Sequence, residues 1–282
     1  MTSTVDQARL NMIKQQLRTW EVLDERVLAV MSETQRELFV PNAYQGLAYS
    51  DIEIPIGDAD SMLAPKFVGR MLQAIDVQAS DKVLEIGTGT GYVTACLARL
   101  GGRVRSMEIN AELAEAARER LQALQLRRIE VITGDALAGS IDGGPFDIIV
   151  ITGALPDEEA LPMLRHYLAQ GGRLFVVIGE SPLMTALLET RLSSGDFRRQ
   201  KLFEPASQPC RTCRSRSALC FNPLHATTEP ARLTRPVAPH ASRPPPLAAR
   251  CTRALGVQHL PHRRLPTGAD APNSGPSSVL VR

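Results

Sequence analysis

Apolar residues follow two different periods along the first 204 positions, and these periods predict the order of helices and strands. Between residues 6 and 33 they recur every three or four positions, which predicts helices. Residues 46–65 break this spacing with Ile54-Pro55-Ile56-Gly57, so a loop or short strand is expected there, followed by a helix at 66–76. Short apolar runs then alternate with helical spacing as far as residue 192.

This alternating part predicts five strands and the helices that connect them. The expected strands are 82–86, 103–108, 128–133, 146–151 and 173–178. The expected helices are 91–100, 111–124, 157–169 and 184–192. Helices that alternate with buried strands favour an α/β fold with a mostly parallel sheet, helices on both faces and an N-terminal helical extension.

A glycine-rich loop follows the first of these strands. Glu85-Ile86 leads directly into Gly87-Thr88-Gly89-Thr90-Gly91-Tyr92. Glycines let the backbone turn sharply and approach a ligand closely. Because ligands in open α/β sheets bind at the carboxyl ends of the strands, this loop is the predicted cofactor site.

Two cofactors compete for such a loop. The dinucleotide fingerprint G-x-G-x-x-G needs a glycine three positions after Gly89, where this chain has Tyr92. Glu85 instead suits the cationic methionine end of S-adenosylmethionine. Glu108, at the end of the second strand, is placed for ribose hydroxyls, and Gly134-Asp135-Ala136, after the third, for the adenine edge. The sequence therefore predicts a Rossmann-like class I methyltransferase fold that binds S-adenosylmethionine. The expected cofactor-binding residues are Glu85, Gly87, Thr88, Gly89, Gly91, Tyr92, Glu108, Asp135 and Ala136.

Simpler roles exist for several polar residues. Glu85 is alternatively a cap of the next helix, and Glu108 an exposed strand end. Asp147, at the start of its strand, is expected in a turn or structural role. Cys96 and His166 fall on predicted helices and are expected in packing or at the surface.

A series of short motifs occurs in order between residue 8 and about residue 204. They are Asp24-Glu25-Arg26-Val27-Leu28, Phe39-Val40-Pro41, Ala48-Tyr49-Ser50-Asp51, Ile54-Pro55-Ile56-Gly57, Ala64-Pro65, Val83 to Tyr92, Gly134-Asp135 and Gly171-Gly172-Arg173-Leu174. Together they resemble the protein-L-isoaspartate O-methyltransferase family. The resemblance implies methyl transfer from S-adenosylmethionine to the α-carboxylate of L-isoaspartyl residues, which starts protein repair through a succinimide. Isoaspartyl proteins or peptides are the partners that it implies.

One loop departs from the family's pattern. The family usually has Gly-Gln-Thr-Ile-Ser before Ala-Pro, whereas this chain has Ala59-Asp60-Ser61-Met62-Leu63, which we call the acceptor loop. The serine regarded as the family's active-site residue thus falls on Leu63, which cannot donate a hydrogen bond. Losing one charge-assisted hydrogen bond costs on the order of 1.5–3 kcal/mol, or roughly ten- to hundred-fold in rate.

Ser61 keeps a hydroxyl two positions upstream and is the candidate catalytic residue. Two alternatives to isoaspartyl methylation stay open. One is a methyltransferase with a different small-molecule or protein acceptor, and the other is a cofactor-binding protein without turnover.

The composition changes abruptly after Glu204. Residues 205–282 contain eleven Arg, no Lys and two acids, a net charge of +9, which leaves −7 for residues 1–204 within the overall +2. They also contain 13 of the 20 prolines and lack apolar periodicity. We therefore expect N-terminal helices and the acceptor loop at 1–65, the cofactor-binding domain at 66–204, and a low-complexity, disordered or out-of-frame tail at 205–282.

An out-of-frame tail can be tested on paper. Each residue from Ser207 to Asn222 allows several codons. One permitted choice, read from the third base of the Ser207 codon, encodes Pro-Ala-Leu-Pro-Asp-Leu-Pro-Gln-Pro-Gln-Arg-Leu-Val-Phe and then a stop codon. This ending resembles the family's C-terminal strand, which closes in an aromatic-aliphatic run. We expect the nucleotide sequence to contain this frame, and its strand to pair beside residues 197–204.

The remaining expectations concern metals, partners and location. Cys210, Cys213, Cys220 and His225 lack the packed surroundings of a structural zinc site, so no metal is expected. The chain has no run of eighteen apolar residues and no secretory signal at its start. We expect a cytoplasmic monomer that uses neither a membrane nor a nucleic acid.

Overall fold

The computed structural model describes residues 4–57, 60–180 and 183–204. The α-helices are α1 (Thr4–Asn11), α2 (Glu25–Glu33), α3 (Pro65–Ile75), α4 (Tyr92–Arg99), α5 (Ala111–Ala123) and α6 (Leu161–His166). The strands are β1 (Ile54–Pro55), β2 (Ser61–Met62), β3 (Lys82–Ile86), β4 (Arg103–Glu108), β5 (Ile129–Thr133), β6 (Phe146–Leu155), β7 (Leu168–Glu180), β8 (Leu183–Arg191) and β9 (Phe197–Phe203). The predicted tail at 205–282 and Ala59 of the acceptor loop lie outside the described residues, and the three-region division stays a prediction.

The predicted N-terminal helices are confirmed as α1, a π-helical turn at Met12–Leu17, and α2. Asp24 begins α2 because its carboxylate accepts a 2.8 Å hydrogen bond from the Arg26 amide, which satisfies one of the unpaired N–H groups at a helix start. Among the described residues, no helix has the length and apolar composition that crossing a membrane requires.

Seven strands form the main sheet in the order β5-β4-β3-β6-β7-β8-β9. The pairs from β5 through β7 are parallel, while β7–β8 and β8–β9 are antiparallel. The predicted α/β fold with a mostly parallel sheet is confirmed. The chain runs outward from β3 to β5 and then returns to β6 on the other side of β3. The carboxyl ends of β3 and β6 therefore flank the switch point, where ligands bind in such sheets.

Apolar side chains cover both faces of the sheet. Val83 and Ile148 belong to one buried cluster, and their chain neighbours Leu84 and Ile149 belong to the other. This alternation follows from the period of two in a strand, and continuous apolar runs are typical of strands that are buried on both faces. The first cluster also contains Met12 and many other side chains from the N-terminal helices.

Two predicted helices are wrong in part or in whole. Residues 184–192 do not form a helix, because β8 occupies Leu183–Arg191 and pairs with β7 along eight positions. Leu, Met, Ala and Glu favour helices intrinsically, but pairing and burial against a neighbouring strand override that preference. The helix expected at 157–169 is confined to Leu161–His166, since β7 already begins at Leu168.

Candidate active site

The glycine loop lies at the carboxyl end of β3 and has the backbone conformation that only glycine tolerates well. Gly87, Gly89 and Gly91 have φ angles of +97°, +54° and +87°. A Cβ atom on Gly87 would lie 2.3 Å from Oγ1 of Thr152 in β6. The Thr152 hydroxyl in turn donates a 2.6 Å hydrogen bond to the Gly87 carbonyl. The loop is therefore closely packed against β6.

Glu108 is the last residue of β4, and its side chain is hydrogen-bonded to the glycine loop. Its Oε2 accepts a 2.8 Å hydrogen bond from the Gly89 amide, and its Oε1 accepts a 3.0 Å hydrogen bond from the Asn110 amide. The side chain is buried, so the alternative of an exposed strand end is wrong. The Glu108 carbonyl also accepts from the Gly134 amide, which brings the end of β5 to the same edge.

Glu85 lies fully buried within β3. Its Oε2 accepts hydrogen bonds from Thr94 Oγ1 at 2.5 Å and from Ser106 Oγ at 2.6 Å. The Ser106 hydroxyl is also 2.5 Å from that of Thr88 in the loop. Burial raises the pKa of Glu85 to about 7, against the lowering effect of its hydroxyl partners. Glu85 does not cap α4, because the residue at that position is Gly91.

The third predicted contact region follows β5. Asp135 Oδ1 accepts a 2.8 Å hydrogen bond from the Leu137 amide, which shapes the turn after the strand. Ala136 is buried in the second apolar cluster. Neither residue lines the cavity described below.

A short hairpin presents the acceptor loop. β1 and β2 pair antiparallel, with Pro55 opposite Ser61 and Ile54 opposite Met62. The Ser61 hydroxyl donates a 3.0 Å hydrogen bond to Glu53 Oε2. Burial raises the pKa of Glu53, and the Ser61 hydrogen bond lowers it by a smaller amount.

One cavity connects the two loops, and we call it the loop cavity. Residues 61–63 of the acceptor loop line it together with residues 87–90 of the glycine loop, Tyr92, Arg36 and Thr152. Its volume of about 50 Å³ accommodates a small polar group, since one water needs roughly 10–15 Å³. Among the predicted site residues, the structure thus brings Ser61 into contact with the space beside the glycine loop.

The sequence-based predictions missed two polar residues of this cavity that lie outside both loops. Thr152 lies in β6 directly after Ile151, which pairs with the last residue of β3, so the switch point of the sheet would have indicated a site residue. Arg36 is fully buried and stacks on the ring of Tyr92, with its guanidinium carbon 4.7 Å from the ring centroid. Arg36 lies in the polar stretch Thr34-Gln35-Arg36-Glu37, which gives no signal of burial.

The predicted structural roles of three further residues are confirmed. Asp147 accepts a 2.8 Å hydrogen bond from the Lys82 amide and so fixes the start of two strands. Cys96 is a buried free thiol within α4. His166 is exposed at the end of α6, edge-on to Tyr167.

The sheet order, the glycine loop at its switch point and the buried carboxylate at the end of β4 define a class I S-adenosylmethionine-dependent methyltransferase. The family model for protein-L-isoaspartate(D-aspartate) O-methyltransferase matches residues 7–202. The chain belongs to the protein-L-isoaspartate(D-aspartate) O-methyltransferase family. The predicted family, enzyme class and methyl donor are confirmed.

Curated relatives agree with this assignment. A protein-L-isoaspartate O-methyltransferase of Koribacter versatilis is 44% identical over 194 residues, which cover 69% of this chain and 86% of the relative. One from Aeropyrum pernix is 40% identical over 202 residues, covering 70% of this chain and 77% of the relative.

Solved structures support the same fold. A Plasmodium falciparum chain described as a protein-L-isoaspartate O-methyltransferase, in complex with S-adenosyl-L-homocysteine, has a TM-score of 0.61 at 19% identity. The match covers 74% of this chain and 98% of that one. A second protein-L-isoaspartate O-methyltransferase has a TM-score of 0.59 at 21% identity, covering 76% of this chain and 71% of that one.

Proposed function

We propose that this chain transfers the methyl group of S-adenosylmethionine to the α-carboxylate of L-isoaspartyl residues in damaged proteins. The observation that carries the proposal is the loop cavity, in which the acceptor loop and the glycine loop face the same space. An acceptor group in this cavity lies against the loop that the family uses for the donor.

We propose the following residues for donor binding: Glu85, Gly87, Thr88, Gly89, Gly91, Tyr92, Glu108, Asp135 and Ala136. When bound, S-adenosylmethionine supplies a methyl group activated by a positively charged sulfur. The residues present fit such a group, since the side-chain-free glycine loop admits close backbone approach. Each carboxylate oxygen of Glu108 accepts one backbone hydrogen bond and keeps a lone pair for a ribose hydroxyl. The buried Glu85 carboxyl is joined to Thr88 of the loop through the Ser106 hydroxyl and so helps to hold the loop in place.

The proposed reaction asks for positioning rather than for a strong base. An α-carboxylate has an ordinary pKa of about 3.5 and is ionised at neutral pH, so no residue has to remove a proton. Alignment of reacting groups in an enclosed site supplies roughly 7–11 kcal/mol in favourable cases.

Ser61 is the proposed catalytic hydroxyl, although its contribution is limited by its neighbour. A serine has one proton to donate, and the Ser61 proton is directed to Glu53 Oε2. It becomes available to an acceptor carboxylate when Glu53 is protonated or turns away. Replacing Ser61 by Ala is expected to lower kcat/KM for an isoaspartyl peptide, and Ser61→Thr is expected to retain most of it.

The proposed function is tested with radiolabelled S-adenosylmethionine and two matched peptides, one isoaspartyl and one aspartyl. Selective, base-labile labelling of the isoaspartyl peptide supports the proposal, because methyl esters hydrolyse in base. Donor binding with labelling of other molecules in a cell lysate would indicate a different acceptor. Donor binding with no transfer at all would indicate a protein without turnover.

We propose further that the enzyme acts as a monomer in the cytoplasm and uses neither membranes nor nucleic acid. The net charge of −7 on residues 1–204 supports the exclusion of nucleic acid for this part of the chain, because phosphate binding needs a basic surface. Sedimentation and cell fractionation test the first two points. A dimer in solution or a membrane-bound fraction would contradict them.

A further inference from the structure

A second cavity has aromatic walls, and we call it the aromatic pocket. Its lining includes the rings of Trp20, Phe67 and Phe203, together with Ile52 and Glu53. Trp20 and Ile52 are large apolar side chains that are exposed, so the pocket opens at the surface. Its volume of about 340 Å³ is at the lower end of the range for ligand pockets and accommodates one long side chain.

Glu53 connects this pocket with the acceptor loop. Its half-buried side chain lines the aromatic pocket, and its Oε2 accepts the 3.0 Å hydrogen bond from the Ser61 hydroxyl. Ser61 in turn lines the loop cavity. An acceptor carboxylate that is hydrogen-bonded to Ser61 would therefore lie within two hydrogen-bond lengths of Glu53. Two carboxylates at such a separation repel each other when both are ionised.

The other charged side chains that line the aromatic pocket each have a partner of opposite charge. The pairs are Lys66–Asp51 at 2.8 Å, Arg70–Glu21 at 3.2 Å and Glu204–Lys201 at 2.6 Å. Glu53 differs from them, because no cation among the described residues pairs with it. Its pKa is raised by burial, and the hydrogen bond from Ser61 lowers it by a smaller amount. The pocket thus combines apolar walls with one uncompensated carboxylate.

We propose that the aromatic pocket binds the side chain of a lysine or arginine that neighbours the isoaspartyl residue in the acceptor protein. The inference rests on the proposed function, because it assumes an isoaspartyl acceptor. The aliphatic stem of such a side chain packs on the apolar walls, while its charged end pairs with Glu53. The cation also offsets the repulsion between Glu53 and the acceptor carboxylate. Glu53 is then a specificity-determining residue that selects isoaspartyl sites with a basic neighbour.

Two other occupants of the pocket lead to different expectations. An apolar neighbour of the isoaspartyl residue would be held by the walls alone and would bind as tightly as a basic one. The chain's own residues after Glu204 would fill the pocket without any peptide, since Phe203 and Glu204 both line it. In that case the neighbours of the isoaspartyl residue would have no effect on affinity.

The test measures dissociation constants of isoaspartyl peptides by calorimetry on enzyme saturated with S-adenosyl-L-homocysteine. The peptides are made in pairs that carry lysine or norleucine at one of the two positions on either side of the isoaspartyl residue. Norleucine has the same four-carbon stem without the ammonium group. We expect the lysine peptide to bind roughly 3- to 10-fold more tightly at one or more positions, an effect between those of an exposed ion pair and a buried charge-assisted hydrogen bond.

Glu53→Gln should abolish this preference, because its amide is neutral but keeps an oxygen that accepts from Ser61. It should leave the affinity for the norleucine peptide unchanged. Glu204→Gln is the matched control, since it neutralises an acid of the same pocket that already has a cation as partner. This variant should keep the full preference for lysine.

Equal affinities for lysine and norleucine peptides that are both methylated would overturn the inference and leave the proposed function intact. A preference that persists in Glu53→Gln would overturn it as well, since another group would then recognise the cation. If the wild-type chain neither binds nor methylates any of the peptides, the proposed function fails and the inference fails with it.

Loss of S-adenosyl-L-homocysteine binding in Glu53→Gln would indicate that this variant does not fold. The wild-type complex with the preferred lysine peptide is then crystallised. A lysine Nζ within about 4 Å of a Glu53 carboxylate oxygen supports the inference, and one bound elsewhere overturns it.

Discussion

Arg36 Nη2 donates a 2.7 Å hydrogen bond to the carbonyl of Leu63, the residue at which the acceptor loop departs from its family. The backbone at this position is therefore held by a buried guanidinium, while the Leu63 side chain remains part of the cavity lining. Because the contact uses a main-chain atom, it does not depend on which side chain stands at position 63. Substitutions at this position should therefore alter the cavity and leave the loop in place.

Leu63→Ser is expected to increase kcat/KM for an isoaspartyl peptide roughly ten- to hundred-fold, because it returns a hydroxyl donor to the acceptor carboxylate. It should also lower stability, since Leu63 is buried and large-to-small changes at such positions cost about 2–5 kcal/mol. Steady-state kinetics and thermal unfolding measure the two effects separately.

Leu63→Ala is the matched control for the hydroxyl, because it removes the same apolar side chain. It should lose stability to a similar degree without a gain in rate. Equal kinetics for the Ser and Ala variants would show that the hydroxyl contributes nothing at this position.

Glu108→Gln is expected to weaken S-adenosylmethionine binding roughly 10- to 100-fold. An amide accepts hydrogen bonds at its oxygen only, so its nitrogen would face one of the two backbone amides that Glu108 now satisfies. Calorimetry measures the dissociation constant. Glu130→Gln, an exposed change on the neighbouring β5, should bind the donor as the wild type does, and an unchanged constant for Glu108→Gln would contradict the assignment.

Glu85 should make stability depend on pH. Its pKa is raised by burial from 4.5 to about 7, so the folded chain keeps a proton that the unfolded chain releases in this range. Stability is then highest below the unfolded pKa and falls as the pH rises through 7. Glu85→Gln, which stays neutral, should gain up to about 3 kcal/mol relative to the wild type across this interval. Denaturant unfolding at several pH values measures the free energy of unfolding of the wild type and of Glu85→Gln. Parallel curves of this free energy against pH would refute the prediction. Glu159→Gln, a change at an exposed position, is the control and should follow the wild-type curve.

A chain that carries the alternative ending in place of the residues after 206 should melt at a higher temperature and dissolve better. Among the described residues β9 is the outermost strand on its side of the sheet, and an unpaired edge favours association with other chains. A gain of about 1 kcal/mol corresponds to roughly 2–4 °C in a chain of this size.

The control for this prediction is a chain that ends at Glu204, which separates the removal of the tail from the addition of a strand. Equal melting temperatures for the wild-type chain and the chain with the alternative ending would count against a missing strand. A nucleotide sequence without the second frame would also remove the basis for it.

The central part of the fold was predictable because its pattern is local. Short apolar or alternating runs that end in polar or glycine residues indicate strands by their local pattern, and β3, β4, β5 and β6 form where this pattern predicts them. β8 does not, because its residues have good helix propensity and become a strand only through pairing with β7.

The candidate site likewise has one part that could be predicted from the sequence and one part that could not. The glycine loop was recognisable because positive φ angles demand glycine at fixed spacing. Arg36 was not, because an arginine between polar neighbours has the same local pattern at the surface and in the interior. Its burial depends on Tyr92 and Leu63, which lie 56 and 27 positions further along the chain.

The N-terminal helices share one continuous apolar cluster with one face of the sheet. Met12 and Val27 belong to the same cluster as Val83 and Phe175, whereas the opposite face is covered by its own set of side chains. An enzyme that starts at residue 66 would therefore expose apolar side chains on one face of the sheet only. That face includes Val83 of β3, the strand that leads into the glycine loop. The segment from Met12 to Leu63 therefore completes one of the two apolar clusters of the enzyme.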